Sequence, residues 1–128
     1  MATNAAFRAH KIVAFAATSK PARARRFYRD TLGLRLVGED GFALVFDANG
    51  TMLRVTVVKD VRTADYTVLG WQVADIVAAA KRLKKVGVRL QRYPGMGQDE
   101  QGIWTSPSGA RIAWFKDPDG NTLSITQF

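Results

Sequence analysis

The chain has 128 residues, a length that suits one domain, and its 47% hydrophobic and 23% charged residues are ordinary for a globular protein. No apolar run reaches the ~20 residues that a membrane helix needs, no signal peptide is expected at the N-terminus, and the lack of cysteine excludes disulfides and Cys-ligated metals. A cytoplasmic location is expected, and the net charge of +8 favours acidic ligands or partners.

The first half of the chain reads as a strand, a helix and three strands. An apolar strand at 11–18 leads to Ser19, which is expected to cap the helix, with Pro21 in its first turn. Gly33 is placed to end the helix in a left-handed conformation. The apolar stripe of this amphipathic helix is Ala24, Phe27, Tyr28, Thr31 and Leu32. Strands are then predicted at 34–38, 42–46 and 51–58, with the hairpin signal Asn49-Gly50 before the last of them.

The second half repeats this order. A strand at 66–73 precedes a helix that Asp75 caps and Gly87 ends. The predicted inward face of this helix is Ile76, Ala79, Ala80, Leu83 and Val86. Further strands are predicted at 88–92, 103–105, 111–116 and 122–127, with the turn Asp117-Pro118-Asp119-Gly120 before the last one. One recurrence indicates duplication of a βαβββ unit within a single domain of residues 1–128, with repeats at about 9–58 and 65–128 and a linker at 59–64.

Two motifs in this frame resemble a known family. The segment Phe27-Tyr28-Arg29-Asp30-Thr31-Leu32-Gly33 and the segment Lys116-Asp117-Pro118-Asp119-Gly120-Asn121 are similar to motifs of the vicinal oxygen chelate superfamily. That group includes glyoxalase I, extradiol dioxygenases, and fosfomycin- and bleomycin-resistance proteins. The resemblance covers the chain from about residue 9 to its end. It implies an α+β fold, in which two tandem βαβββ repeats form curved mixed sheets around a cleft, and a homodimer.

The resemblance also locates the positions at which metal-dependent relatives carry their ligands, on the first and last strand of each half. The matching positions here are Val13, Arg54, Val68 and Ser124. The four strands concerned contain no His, Asp or Glu, and the one histidine, His10, precedes the first strand. A divalent catalytic ion needs several anionic or imidazole ligands converging on one point. Neither a metal nor another cofactor is therefore expected.

The cleft is expected to be apolar and lined with aromatic side chains, which suits a small organic ligand. Strand alternation selects the expected ligand-binding residues: Val13, Phe15, Arg54, Thr56, Val68, Gln72, Trp104, Trp114 and Ser124. Arg54 could hold a carboxylate or enolate in place of the ion, or its head could simply extend to water. Trp104 and Trp114 could stack on a planar ligand or belong to the core. Tyr93 with the glycine-rich loop 94–97 could form a lid or an ordinary surface loop.

The leading functional hypothesis is a metal-independent protein that binds a small anionic or aromatic molecule, similar to the drug-sequestering branch of the group. Cationic bleomycin is disfavoured as the ligand because the chain is strongly basic. One alternative is a glyoxalase-like lyase or isomerase, or a dioxygenase, with an unrecognised site. Tyr28 could then act as an acid or base, although its place in the helix stripe favours packing. A second alternative, nucleic-acid binding through the basic helices, lacks a recognisable reading motif, so nucleic acid is not expected as a partner.

Overall fold

The computed structural model describes residues 6–128, so residues 1–5, where the signal-peptide expectation begins, lie outside the described residues. The strands are β1 Val13–Thr18, β2 Arg35–Glu39, β3 Ala43–Ala48, β4 Thr51–Val57, β5 Leu69–Gln72, β6 Trp104–Thr105, β7 Arg111–Lys116 and β8 Thr122–Gln127. The helices are α1 Pro21–Arg25, continued by a π-helical segment Arg26–Thr31, and α2 Ile76–Lys85, with a short 3-10 turn at Ala6–Ala9. Across this described part, no helix has the length and apolarity to span a bilayer.

The two halves form two four-stranded mixed sheets with the same topology. The strand order is β1-β4-β3-β2 in the first sheet and β5-β8-β7-β6 in the second. In each sheet the first strand pairs in parallel with the last strand of its half, and the other pairs are antiparallel. The same order of elements therefore gives the same sheet twice, and the predicted α+β arrangement of two βαβββ repeats is confirmed.

One hydrophobic core lies between the helices and one face of both sheets. Its buried members include Leu44, Phe46, Leu53 and Val55 of the first sheet, Ala113, Phe115, Leu123 and Ile125 of the second, and Ala24, Tyr28, Ile76 and Ala80 of the helical segments. Successive side chains of a strand point to opposite faces of the sheet. Because both sheets turn one face to the same core, their other faces both lie on the side of the molecule away from the helices.

The first helical segment departs from the predicted α-helix at both ends. Ser19 does not cap it: its backbone N–H and its hydroxyl donate to Asp119 Oδ1 at 2.9 and 3.1 Å, and Lys20 is the N-cap. After Arg25 the backbone widens into π-helical turns, and the Leu32 N–H donates to the Phe27 carbonyl at 2.9 Å. The prediction of a Ser19 cap is therefore wrong, because its donors are used to hold the other half of the chain.

The second helix follows its prediction at the N-terminus and departs from it at the C-terminus. Asp75 caps α2 by accepting a hydrogen bond from the Ala78 N–H at 3.1 Å. Gly87 ends it with a φ of +90°. Val86 was predicted to face inward, but it is the C-cap residue and is 48% exposed. The helix stripe therefore stops one turn earlier than the apolar pattern indicates.

The edge strand of the second sheet is interrupted. In the first half the chain enters β2 directly after Gly33, whereas the segment after Gly87 makes one bridge to the sheet, between Leu90 and Phe115. The chain returns to the same edge of β7 only at β6, where Trp104 pairs with Ile112. The predicted strand at 88–92 is therefore wrong, and residues 91–103 form a loop that leaves the edge of the sheet. The strand predicted at 66–73 is likewise shorter, with only Leu69–Gln72 in the ladder.

A buried polar cluster joins the last turn of the chain to the first half. The Tyr28 hydroxyl donates to Asp117 Oδ2 at 2.7 Å, and Asn121 Nδ2 donates to the Ala17 carbonyl at 2.8 Å. Asp117 also accepts from the backbone N–H groups of Asp119 and Asn121 and from Asn121 Nδ2. Burial and the neighbouring Asp117 carboxyl raise the pKa of Tyr28 far above its ordinary value. Tyr28 therefore packs and donates a hydrogen bond in the core.

Candidate functional site

The faces of the two sheets that point away from the helices carry most of the residues expected to bind a ligand, and we call them the open face. In the first sheet, Phe15 of β1 and Val45 of β3 flank Arg54 of β4 in register. In the second sheet, Gly70 of β5 and Trp114 of β7 flank Ser124 of β8 in the same way. Strands β1 and β5 lie beside each other. The open face therefore presents two equivalent rows of three residues with different chemistry.

The row in the first sheet is apolar around one cation. Phe15 is 58% exposed, and Val13 and Met52 beside it are also exposed. The Arg54 side chain makes no ion pair and no hydrogen bond with any residue between 6 and 128. Two backbone N–H groups and, more weakly, the charge of Arg54 lower the pKa of Asp40. This half therefore offers a guanidinium on an apolar sheet face with its donors available.

The row in the second sheet has no side chain at one end and a small one at its centre. Gly70 has no side chain, and a Cβ placed on it would lie 2.8 Å from Ser124 Oγ. Ser124 is buried beside it, whereas Trp114 rises at the other end of the row and is half-buried. The small residues leave space on the open face, and the indole forms its wall.

A cavity of about 370 Å³ adjoins this wall. It is lined by Asp65, Tyr66, Thr67, Tyr93, Met96, Trp114 and Thr122. Three aromatic rings and a thioether make most of its apolar surface, and such soft, flat surfaces suit a planar ligand. We call this space the aromatic cavity. Its volume is near the lower end of the range of small-molecule sites.

The indole of Trp114 is fixed from three directions. Its Nε1–H donates to Thr67 Oγ1 at 3.2 Å, so the buried polar end of the ring is satisfied. The ring of Tyr93 meets it edge-on at a centroid distance of 5.6 Å, and the ring of Trp104 lies on another side at 6.0 Å. A ring held in this way keeps its orientation whether or not a ligand is present, which reduces the entropy cost of binding.

The loop 91–103 carries Tyr93 and Met96 to the cavity, and Gln98 holds its shape. Gln98 Nε2 donates to the carbonyls of Gln91 and Gly102, both at 2.9 Å, and its Oε1 accepts from the Tyr93 N–H at 2.6 Å. Through these three hydrogen bonds, the Gln98 side chain holds the two ends of the loop together. The tyrosine is therefore held over Trp114 by an ordered loop, which favours a fixed wall over a freely moving lid.

The remaining polar groups near the cavity set its charge. Lys116 Nζ donates to Thr122 Oγ1 at 2.8 Å, which brings an ammonium group next to the lining. Asp65 contributes a carboxylate on the lining itself and is exposed. Lys116 was not among the expected ligand-binding residues. The mouth of the cavity thus has both signs of charge, with the cation fixed by a hydrogen bond.

The residues predicted to bind a ligand fall into separate groups. Trp114 lines the aromatic cavity and Trp104 supports it, while Val68 and Ser124 lie nearby on the same open face. Gln72 lines a different cavity on the helix side of the second sheet. The first-sheet group, Val13, Phe15, Arg54 and Thr56, shares the open face but does not line the aromatic cavity. The nine residues are therefore divided between the open faces of the two sheets and the helix side of the second sheet.

The residues do not fit the metal centre that the fold family implies. Residues 6–128 contain no group of three or more His, Cys, Asp or Glu side chains that could hold an ion. At the four family ligand positions stand two hydrocarbon side chains, one cation and one hydroxyl: Val13, Val68, Arg54 and Ser124. An arginine cannot ligate a cation, and a lone hydroxyl is too weak a donor.

Comparison with known proteins gives the family. The sequence model of the Glyoxalase/Bleomycin resistance protein/Dioxygenase superfamily matches residues 10–125, nearly the whole chain. The chain belongs to this superfamily. Its fold is also similar to a glyoxalase/bleomycin resistance protein/dioxygenase from Alicyclobacillus acidocaldarius, with a TM-score of 0.73, 16% identity, and 93% of this chain and 91% of that chain covered.

Two further solved structures share the superfamily fold. A lactoylglutathione lyase from Agrobacterium tumefaciens has a TM-score of 0.69 at 17% identity, covering 92% of this chain and 94% of that one. A superfamily member from Sphaerobacter thermophilus DSM 20745 has a TM-score of 0.68 at 22% identity, covering 94% and 99%. At these identities the likeness establishes the fold, and the activity has to be argued from the site.

Proposed function

We propose that this superfamily member binds a small planar organic molecule in the aromatic cavity without a metal ion. The observation that carries the proposal is the fixed Trp114 indole, which forms one wall of a cavity that Tyr66 and Tyr93 also line. An aromatic ligand gains dispersion and quadrupole interactions from such rings beyond simple burial. The ordered loop that Gln98 holds makes the cavity largely preformed, as in most small-molecule sites.

The charge of the protein favours an anionic group on that ligand. The chain carries a net charge of +8, and Lys116 lies beside the lining. The cavity thus has an aromatic wall and a cation next to its lining. An aromatic carboxylate matches both features, because its ring suits the indole and its carboxylate accepts charge-assisted hydrogen bonds.

We also propose that two chains associate through the open face of the first sheet. Phe15, Val13 and Met52 form an exposed apolar group there, which a partner surface would cover. A Phe15→Glu variant is expected to run as a monomer in light scattering while the unaltered chain runs as a dimer. Phe42→Glu is the matched control, since Phe42 is 78% exposed in the β2–β3 turn. Equal masses for the two variants would contradict this interface.

Titration with 2-naphthoate, followed by calorimetry, tests the binding site. Trp114→Ala is expected to weaken binding about tenfold or more, because it removes the stacking wall. Phe42→Ala is the matched control: this ring is 78% exposed in the β2–β3 turn and does not line the cavity, so its removal should leave the affinity unchanged. Circular dichroism of both variants checks that the fold is kept. Equal losses for the two, or no binding by the unaltered chain, would reject the proposal.

Metal analysis separates this function from a lyase, isomerase or dioxygenase of the same superfamily. The purified chain is expected to bind 2-naphthoate equally before and after treatment with a chelator, because no ligand set for an ion exists among residues 6–128. A stoichiometric ion whose removal abolishes binding would favour an enzyme with an unrecognised site.

A further inference from the structure

A second cavity lies on the other side of the sheets, between the two helical segments. Its volume is about 300 Å³. Its walls are mainly apolar, formed by Leu32, Leu34, Trp71, Leu83 and Val86, with Arg82 at the rim. Trp71 and its neighbour Phe115 face the core side of the second sheet and stack at a centroid distance of 6.4 Å. We call this space the helix-side cavity; it shares no lining residue with the aromatic cavity.

The π-helical segment shapes one wall of the helix-side cavity. Its wider turns bring the Leu32 N–H to the Phe27 carbonyl, and the Leu34 N–H then donates to the Tyr28 carbonyl, both at 2.9 Å. A π-helix is rare and frequently marks a functional site, since its hydrogen-bond ring is less favourable than that of an α-helix. Here the segment ends at Thr31, which lines the cavity together with Leu32. The end of the π-helical segment thus forms part of the wall opposite α2.

Arg82 gives this cavity a charge preference. The ion pairs within residues 6–128 use Arg25, Arg29 and Arg35, which leaves the Arg82 guanidinium without an acidic partner there. No acidic side chain of the described chain lines the cavity. The exposed side chains of Lys81, Lys84 and Lys85 lie on the same helix but outside the lining, so Arg82 is the one cation among the described lining residues. A ligand with an apolar body and an anionic end complements both the walls and the rim.

We propose that the helix-side cavity binds an anionic amphiphile, with its hydrocarbon tail against Trp71 and Leu83 and its carboxylate at Arg82. Arg82 stands five residues before the helix-ending Gly87, the spacing at which Tyr28 stands before Gly33 in the first half. In the first half this repeat position is filled by a buried ring, whereas the second half places a flexible cation there. The duplicated position has therefore changed from a core contact to a group able to receive an anion.

Decanoate is the probe for this site, with 1-decanol as the neutral probe of equal length. Decanoate is expected to bind and to change the fluorescence of Trp71, and Arg82→Ala should weaken its binding about fivefold, since the pair is partly screened by water. Lys81→Ala, a neighbouring exposed cation outside the lining, should change the affinity by less than about twofold. The affinity for 1-decanol should be the same in all three proteins.

A filling variant tests the cavity itself. Ala79 lines it and is partly buried, whereas Ala78 is exposed on the same helix, so Ala79→Leu should abolish decanoate binding and Ala78→Leu should leave it intact. Thermal unfolding of both variants checks the fold, and Arg82→Ala gives an independent result if Ala79→Leu is unstable. Decanoate binding that survives Ala79→Leu in a folded protein, or that is lost equally with Lys81→Ala, would overturn the assignment. Trp114→Ala should not affect decanoate, so failure here is distinguishable from failure of the aromatic cavity.

Discussion

The two halves of the molecule share a topology but differ in what their equivalent positions carry. On the open face, the row Phe15–Arg54–Val45 corresponds to the row Gly70–Ser124–Trp114. The first row has its aromatic ring on the first strand and a cation at the centre. The second row has its ring on β7, a serine at the centre and a glycine on the first strand. The two halves thus share the sheet topology but present different chemistry on the open face.

The two halves also differ in the edge strand of the sheet, which is continuous in the first half and interrupted in the second. In the first half β2 runs without a break along β3 apart from one register shift, so nothing from that edge covers the sheet. In the second half the loop 91–103 replaces the middle of the equivalent strand and brings Tyr93 and Met96 beside Trp114. An irregular edge is therefore what converts a flat sheet face into a cavity in this molecule.

The largest expected effect concerns the cluster that unites the halves. Asp117→Ala removes the acceptor of the Tyr28 hydroxyl and of three donors in the last turn, all of them buried or nearly so. The free energy of unfolding should fall by about 3 kcal/mol, because buried donors lose their charged acceptor. Urea unfolding measures this, with the exposed Asp60→Ala expected to change it by less than about 0.5 kcal/mol. A similar small loss for both variants would mean that the halves are held by apolar packing alone.

A second prediction uses the raised pKa of Tyr28. Burial and Asp117 keep the Tyr28 hydroxyl neutral in the folded chain. Its contribution to the free energy of unfolding is therefore complete below the pKa of ~10 that tyrosine has in the unfolded chain, and it is lost as the pH rises above that value. Tyr28→Phe should lower the free energy of unfolding at pH 7 by about 1–2 kcal/mol, because the hydrogen bond to Asp117 is lost. The difference in free energy of unfolding between the unaltered chain and this variant, measured from pH 8 to 11, should shrink above pH 10. The reason is that only the unaltered chain has Tyr28 to ionise when it unfolds. A constant difference across that range would contradict the buried neutral hydroxyl.

A third prediction tests whether the loop makes the second half different. Gln98→Ala removes the three hydrogen bonds that close the loop on Tyr93, and the affinity for 2-naphthoate should fall about fivefold, because the ring must be ordered on binding. Gln101→Ala is the matched control, since its hydrogen bond to Asp99 uses only the backbone N–H. Calorimetry compares the two. Equal affinities would show that Trp114 alone is sufficient and that the loop does not matter.

The smallest effect is expected at Gly70, at one end of the row in the second sheet. A Cβ at Gly70 would lie 2.8 Å from Ser124 Oγ, which can rotate away, so Gly70→Ala should lower stability by less than about 1 kcal/mol. The double variant Gly70→Ala with Ser124→Ala should recover most of the loss, because the contacting oxygen is gone. Additive losses in thermal unfolding would place the strain in the backbone of β5 instead.

Local patterns predicted much of the fold correctly. The strands at 111–116 and 122–127 have their predicted bounds, and Asp75 caps α2 as its side-chain chemistry indicates. The turn Asn49-Gly50 takes positive φ at both residues, as its hairpin signal requires. Each of these depends on neighbours within a few residues, which is the range over which sequence patterns act.

Predictions that depended on distant partners were less accurate. Ser19 has the chemistry of a cap, but its donors bind Asp119, a hundred residues away. Val88–Arg92 has the apolar alternation of a strand, but the loop that follows draws it from the sheet after one bridge. Trp114 was predicted as a ligand contact, but Tyr66, Thr67 and Met96 of the same cavity were not. Tyr66 and Thr67 fall within the predicted strand 66–73 but precede its ladder, and Met96 lies in a loop.

The sequence alone determined the two repeats, the positions of their turns and the lack of metal ligands on the four strands, because each is written in residue types and short spacings. The tertiary structure decided that the two family motifs contact each other through Tyr28 and Asp117, and that the aromatic and helix-side cavities lie on opposite faces of the sheets. The physical reason is that a cavity is formed by side chains from elements far apart in the chain, and their distances are set only when the shared core packs.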